Sequence, residues 1–349
     1  MYENPTGLIA GSVVMWCITV FCVGLRFGNK IRERQSFLAS DWLILAGWVF
    51  GTGLTVLEIY GVAIKSLGYR IGATLADPAS VTGQLNKARH IQLAFFLMGV
   101  TALGLIKLSI SCFYWQLFAK VTLRRFLIIW MVIVGVWATA FVMAGLLECG
   151  SHLTAVFGTP TEYLKHCGSA VPSGYAMVGS DIATDFITLI IPIPVILRLK
   201  MNMRRKLLTL MVFLIGSLSV GASIAKGYIY IRSSMGVYSE DGLLILTGIS
   251  IWNLAEVEIA IVAACGPMLW SILAPTFSHL ASLIGSKWHS RSKINNSKET
   301  HELPRFVKMS ESQVKLPVGA RGVSEGSGER DMMDQYELDS RYERSSIGV

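Results

Sequence analysis

The stretch GSDIATDFITLIIPIPVILRLK, residues 179–200, places Asp181 and Asp185 four residues apart in an otherwise largely apolar run. On a helix that spacing turns both carboxylates toward the same neighbour. Between Tyr175 and Leu197, 11 residues are Leu, Ile, Val or Phe. At about −0.3 to −0.6 kcal/mol each they favour lipid by roughly 3 to 7 kcal/mol, whereas an aspartate at mid-helix costs about 2.5–3.5 kcal/mol. Two carboxylates nearly cancel the gain, so Asp185 requires a partner or a proton.

The other ionisable residues inside apolar runs are Glu58, Lys107, Lys226, Glu256 and Glu258. Matching their depths groups Asp181, Asp185, Lys226 and Glu58 as an outer cluster and pairs Lys107 with Glu256 deeper down. Glu256 and Glu258, two apart on one helix, point to different faces. Such groups mark ligand, ion or proton sites, or they are interhelical salt bridges with Lys226 snorkelling outward; the sequence leaves both open. His and Cys show no metal-ligand spacing, and His152 and His166 read as ordinary loop residues. No nucleophile–base pair or cofactor loop is present. No catalytic residue, metal site or cofactor is therefore expected, and the chain is read as a non-enzyme.

The elements that must hold these residues are spans across a bilayer. The chain has 349 residues, of which 52% are apolar and only 15% charged, and a mean hydropathy of +0.53. Residues 285–349 hold 11 Lys/Arg and 10 Asp/Glu, leaving 20 and 13 for the first 284 positions. Runs of about 20 apolar residues suit lipid. Seven occur, at roughly 8–27, 41–62, 90–118, 126–147, 174–197, 207–229 and 242–273. The fold expected is all-α: a seven-transmembrane helix bundle over 8–273, after a short extracellular N-terminus, 1–7. The start MYENPTG has no basic region of the signal-peptide kind, so the first span is expected to remain as a helix.

Orientation follows from where the basic residues fall. Twelve Lys/Arg follow spans 1, 3 and 5, from Arg26 to Lys206, against six on the opposite side. The positive-inside rule puts the N-terminus outside and the C-terminal tail in the cytosol. Residues 274–289 read as an amphipathic juxtamembrane helix. Residues 290–349, rich in Ser, Gly and mixed charge, read as a disordered cytosolic tail. The net charge of +8 is spent on orientation, so nucleic acid is not an expected partner; the bilayer is. Cys149 and Cys167 flank the second outer loop on the oxidising side, and a disulfide closing it is expected. Cys17, Cys22, Cys112 and Cys265 read as packing residues. GWVFG, Gly47 to Gly51, reads as a small-residue seam for close helix packing.

Two seven-helix alternatives fail on motifs. Residues 242–273 contain no lysine for a retinal Schiff base, and span 3 ends CFYWQLFAK with no DRY-like sequence. Four segments instead carry a resemblance: SDWLIL at 40–45, LGLIKLSISCFYWQLF at 103–118, SDIATDFITLIIPIPVILRLKMNMRRKLLTLMVFLIGSLS at 180–219 and IWNLAEVEIAIVAACGPMLW at 251–270. Together they resemble the fungal rhodopsin-domain family of integral membrane proteins, of the satratoxin-cluster type, over nearly all of 8–273. The resemblance implies a seven-helix protein without retinal, receptor-like or encoded beside secondary-metabolite genes. It marks Asp41, Lys107, Asp185 and Glu256 as family-typical polar positions, with Trp42, Trp252 and Pro267 in the motif spacing.

The leading expectation is a multi-pass receptor-like or accessory protein that binds a small lipophilic ligand among the outer halves of spans 2, 5, 6 and 7. Its cytosolic loops and tail would engage a signalling partner. The alternatives are a proton-coupled transporter of a small metabolite, using Asp185 and Glu256, and a membrane-embedded cyclase whose protonated carboxylic acid starts the chemistry. The sequence does not distinguish plasma membrane from endomembrane.

Overall fold

The computed structural model describes residues 4–69, 78–117, 121–150, 165–167, 170–193, 203–235 and 243–266. Among these there is no strand, and seven long helices form the bundle that the apolar runs predict. They are α1 (Pro5–Arg32), α2 (Ala39–Ala63), α3 (Pro78–Leu117), α4 (Val121–Leu146), α5 (Ala170–Ile190) and α6 (Met203–Ser234), and α7 (Leu243–Gly266). Pro267, the expected juxtamembrane helix 274–289 and the expected tail 290–349 lie outside the described residues.

Over the described residues, six of the helices are long and apolar enough to cross a membrane, and α5 falls short. Its shortfall is the polar stripe Asp181, Thr184, Asp185 and Thr188, which recurs every three to four residues and faces inward. α5 stops at Ile190, seven residues before the end of its apolar run, where Pro192 lacks the N–H that a continuing helix needs. Other helices overrun the apolar segments. α1 begins at Pro5, with the Asn4 side chain accepting the Gly7 N–H at 3.0 Å, and it continues to Arg32.

Packing separates an inner helix from peripheral ones. In α7, 61% of the apolar window is buried, against 22% in α4, so α7 lies inside the bundle and α4 at its edge. The main core joins α1, α2, α3 and α7 through Val23, Ile44, Leu54, Phe95, Leu103, Val257 and Ile261. A second cluster, with Tyr114, Leu127 and Trp130, ties α3 to α4 and the end of α5. A third, with Val100, Trp137, Met177 and Val178, does so nearer the disulfide. α3 thus contributes to all three. Gly47 and Gly51 form the seam expected of them. A methyl at Gly47 would meet Ile106 of α3 at 3.0 Å, and one at Gly51 would meet Ile261 of α7 at 3.2 Å. Outward faces carry exposed Val13, Phe21, Val49, Ile129, Val136, Phe186 and Leu218. An apolar exterior on every peripheral helix is a lipid-facing surface.

The two ends of the bundle differ. At one end Cys149 and Cys167 form a disulfide that packs with Leu93. At the other, Asp41 on the first turn of α2 draws three helices together. It accepts the Leu38 N–H at 2.9 Å, the Arg26 guanidinium at 2.9 and 3.0 Å, and the Lys30 ammonium. Arg26 also donates to the Ala264 carbonyl of α7 at 2.7 Å. Arg26 and Lys30 read in the sequence as loop cations that set orientation; here both lie in α1, buried. The helix runs past the lipid boundary, and its last turns bring two cations to the acid at the start of α2.

Removing one partner of a buried ion pair costs about 3–5 kcal/mol because the other charge is stranded. Arg26→Ala should therefore lower the thermal unfolding midpoint of the detergent-purified protein, with Arg26→Lys recovering only part, since lysine lacks the guanidinium fork. An unchanged midpoint would remove the clamp from the account of stability. In sealed vesicles of known orientation, an impermeant reductant and maleimide should label Cys149 and Cys167 only from the face opposite the C-terminal tail. Labelling from the tail side would reverse the orientation.

Candidate functional site

The polar stripe of α5 meets α3, α6 and α7 in one buried ionic network. Lys107, on α3, donates to Asp181 Oδ1 and to Thr184 Oγ1, each at 2.8 Å, and forms an ion pair with Asp185 Oδ1 at 2.9 Å. Lys226, on α6, donates to Asp181 Oδ2 at 2.8 Å and to Glu256 Oε2, on α7, at 2.5 Å. Ser223, one turn before Lys226, lies between the remaining carboxylate oxygens, 2.7 Å from Asp185 Oδ2 and 2.8 Å from Glu256 Oε1. The Trp137 ring of α4 covers Lys107, its centroid 4.6 Å from Nζ, an attraction that strengthens away from water. The side chains of Asp181 and Glu256 are fully buried, and that of Asp185 is 10% exposed.

Charges this deep are stable only when paired and hydrogen-bonded. Here each lysine bridges two acids, and Asp181 is held by both. Oxygens of Asp181, Asp185 and Glu256 lie within 4.8 Å of one another, which is metal-like spacing. The two ammonium groups and Ser223 already occupy those oxygens, so the geometry is that of an ionic cluster and not of a cation cage.

Two sequence expectations change. The deep pair is not Lys107 with Glu256. Lys107 turns to α5, and Glu256 takes Lys226. A four-carbon stem carries Nζ about a turn from its own Cα, so depth along the helix did not fix the partner. Glu58 does not join the cluster either. It is fully buried, and neither of its oxygens has a hydrogen-bond partner among the described residues. Its helix, α2, packs on α1, α3 and α7 rather than beside α5 and α6. Depth gave Glu58 the right height, and its helix stands on the wrong side of the bundle. Glu258 points away from Glu256, as two-residue spacing requires, and lies 3.4 Å from the Thr55 hydroxyl of α2.

The motif residues divide by position. Asp41 belongs to the clamp with Arg26 and Lys30. Trp42 is 59% exposed on the lipid face, its ring tilted against Phe37 with centroids 6.1 Å apart. Trp252 is on α7, and Pro267 lies outside the described residues. Sequence reasoning missed Ser223 and Thr184. The available signal was the stripe Ser219, Ser223 and Lys226 on α6, which repeats the helical spacing of the acids it faces.

The network separates two cavities. Toward the disulfide lies one of about 530 Å³, lined by Leu93 and Phe96 of α3, Met177 and Val178 of α5, Tyr230 of α6 and Ile249 of α7. Lys226 is among its walls, and Arg89, Gln92 and Glu148 add polar groups. Tyr230 lies so close to Gly174 that a methyl there would meet the hydroxyl at 1.8 Å. This cavity involves α3 and the end of α4, not the second span that the sequence suggested. Toward the Asp41 end lies a much smaller one, about 50 Å³, onto which Lys107, Asp185 and Thr188 open beside Tyr114.

Comparison with known proteins agrees with this architecture. The fungal rhodopsin domain family matches residues 25–275. A protein of Arthrobotrys oligospora named Receptor GIN3 is 25% identical over 330 residues, covering 86% of this chain and 74% of that protein. A Metarhizium anisopliae protein named Polyenoic acids biosynthesis gene cluster protein Ba17b is 24% identical over 291 residues, covering 77% of this chain and 75% of that one. No solved structure matches. With the family's domain spanning most of its length and seven helices folded around it, the chain is a multi-pass membrane protein that belongs to the fungal rhodopsin domain family.

Proposed function

We propose that the chain is a receptor-like or accessory membrane protein that holds a small lipophilic ligand in the cavity at the disulfide end. The observation that carries this reading is the cavity itself. Its volume of about 530 Å³ falls within the roughly 300–1,000 Å³ typical of small-molecule sites, and an apolar lining with a few placed polar groups is the usual design. Lys226 supplies one such group. Among the described residues two of its three N–H donors are used, by Asp181 and Glu256, which leaves one for an acceptor on the ligand. One relative is named a receptor, and another is named for a polyenoic acid cluster. A polyenoic acid has both parts this site would take: an apolar chain, and a carboxyl oxygen for Lys226.

A ligand accepting the third N–H of Lys226 would share the ammonium with Glu256 and Asp181 and so bear on α5, α6 and α7 together. That is the differential contact a two-state switch requires. The cytosolic loops and tail would carry the change to a signalling partner. A second reading, proton-coupled transport, is favoured by the cavities on opposite sides of the cluster. It predicts uptake that follows an imposed pH gradient in proteoliposomes, and a flat response would count against it.

The binding test uses purified protein and a panel of unsaturated fatty acids, read by quenching of tryptophan fluorescence. Ile249→Trp, which fills the cavity, should weaken any saturable binding by ~10-fold or more, the equivalent of 1.4 kcal/mol, while the unfolding midpoint is retained. Binding of the same strength by both forms would place the ligand elsewhere.

A further inference from the structure

The ionic network is short by one hydrogen on two independent counts. Three carboxylates, Asp181, Asp185 and Glu256, face two ammonium groups, Lys107 and Lys226, which leaves one negative charge unbalanced. Those carboxylates present six oxygens. Lys226 supplies two of them with hydrogens and Lys107 a third, Asp181 Oδ1; Lys107 also donates to Thr184 and forms an ion pair with Asp185 Oδ1 at 2.9 Å. Ser223 then stands against two carboxylate oxygens, at 2.7 and 2.8 Å, with a single hydrogen. One of the two contacts can be its donation. The other, at the same short separation, would set two electron-rich oxygens together with nothing between them. A hydrogen on the carboxyl, donated to Ser223 Oγ, satisfies it and cancels the surplus charge in the same step.

We propose that the chain Asp185–Ser223–Glu256 is a proton-binding site, holding one exchangeable proton that neutralises the cluster. The groups facing it are Lys107 from α3, Asp181 from α5 itself and Lys226 from α6. Among the described ion pairs none from α1, α2 or α4 reaches it. Exchange runs through Asp185, the only one of the three acids with exposed surface, which opens on the small cavity toward the Asp41 end. The other end of the chain is tied to the large cavity, because Glu256 holds Lys226. A molecule that takes up Lys226 changes what Glu256 must share with Asp185, and by linkage the proton changes the affinity for that molecule equally. The proton site stands whatever fills the large cavity.

Infrared spectroscopy of the full-length purified protein tests it. The wild type should show a protonated-carboxyl C=O band that moves down in deuterium oxide. That band should vanish in Asp185→Asn or Glu256→Gln and shift in frequency in Ser223→Ala, which keeps both acids. A band untouched by all three belongs to another buried acid such as Glu58, and the proposal fails. The amide variants also separate this reading from simple salt bridging. Asp185→Asn removes the surplus charge and brings its own N–H, so the unfolding midpoint should hold. Asp181→Asn turns an amide N–H toward two ammonium groups and should lower it. Equal losses from both, or sodium binding to a wild type that lacks the band, would overturn the proposal.

Discussion

Neutralisation of buried charge governs this bundle. Lipid gives seven helices no hydrophobic reason to choose one another, since tails are as apolar as leucine. What selects neighbours is the cost of a lone charge in hydrocarbon. Lys107 and Lys226 cannot be left alone, and the acids they reach lie on two other helices, so α3, α5, α6 and α7 are drawn to one point. The Asp41 clamp repeats the device for α1, α2 and α7, using Arg26, Lys30 and the Ala264 carbonyl. α7 belongs to both knots, and it is the helix most deeply enclosed. Apolar packing then fills the space that ion pairing defines.

The two knots differ in what they leave free. At the Asp41 end two cations share one acid, next to the N-terminal turn of α2, where a carboxylate also meets the unpaired N–H groups of the helix. That arrangement holds one cation in excess, but its surplus N–H goes to the Ala264 carbonyl at a helix end, and neither of the two cavities reaches it, as suits a structural fastening. In the middle of the bundle three acids share two cations between two cavities. An arrangement one charge short of balance, open to a void on either side, can respond to what arrives in either. The contrast is why the central network, and not the Asp41 clamp, is the candidate site.

The bundle was legible in the sequence because a bilayer imposes a length: about 20 apolar residues can be counted without any knowledge of contacts. The disulfide was legible from the side of the membrane on which its cysteines fall. Helix ends were not, since α1 and α3 continue as helix beyond the lipid-crossing stretch, and Arg26 and Lys30 passed for loop residues on that account. The charged site was legible in membership and not in pairing. Asp181, Asp185, Lys226, Lys107 and Glu256 all stood out as costly, but depth along a helix says nothing of rotation about it or of which helices are adjacent. Glu58 was drawn in by height alone. Ser223 was invisible because a hydroxyl costs little in a helix and α6 carries several.

A double-mutant cycle on Lys107 and Asp181 measures the central interaction most directly. If the pair neutralises charge across the α3–α5 contact, Lys107→Met and Asp181→Leu should each destabilise the purified protein by several kcal/mol. The double variant should recover most of that loss, giving a coupling well above ~1 kcal/mol. Losses that simply add would show that the two side chains do not hold each other, and the account of the bundle built on them would be wrong.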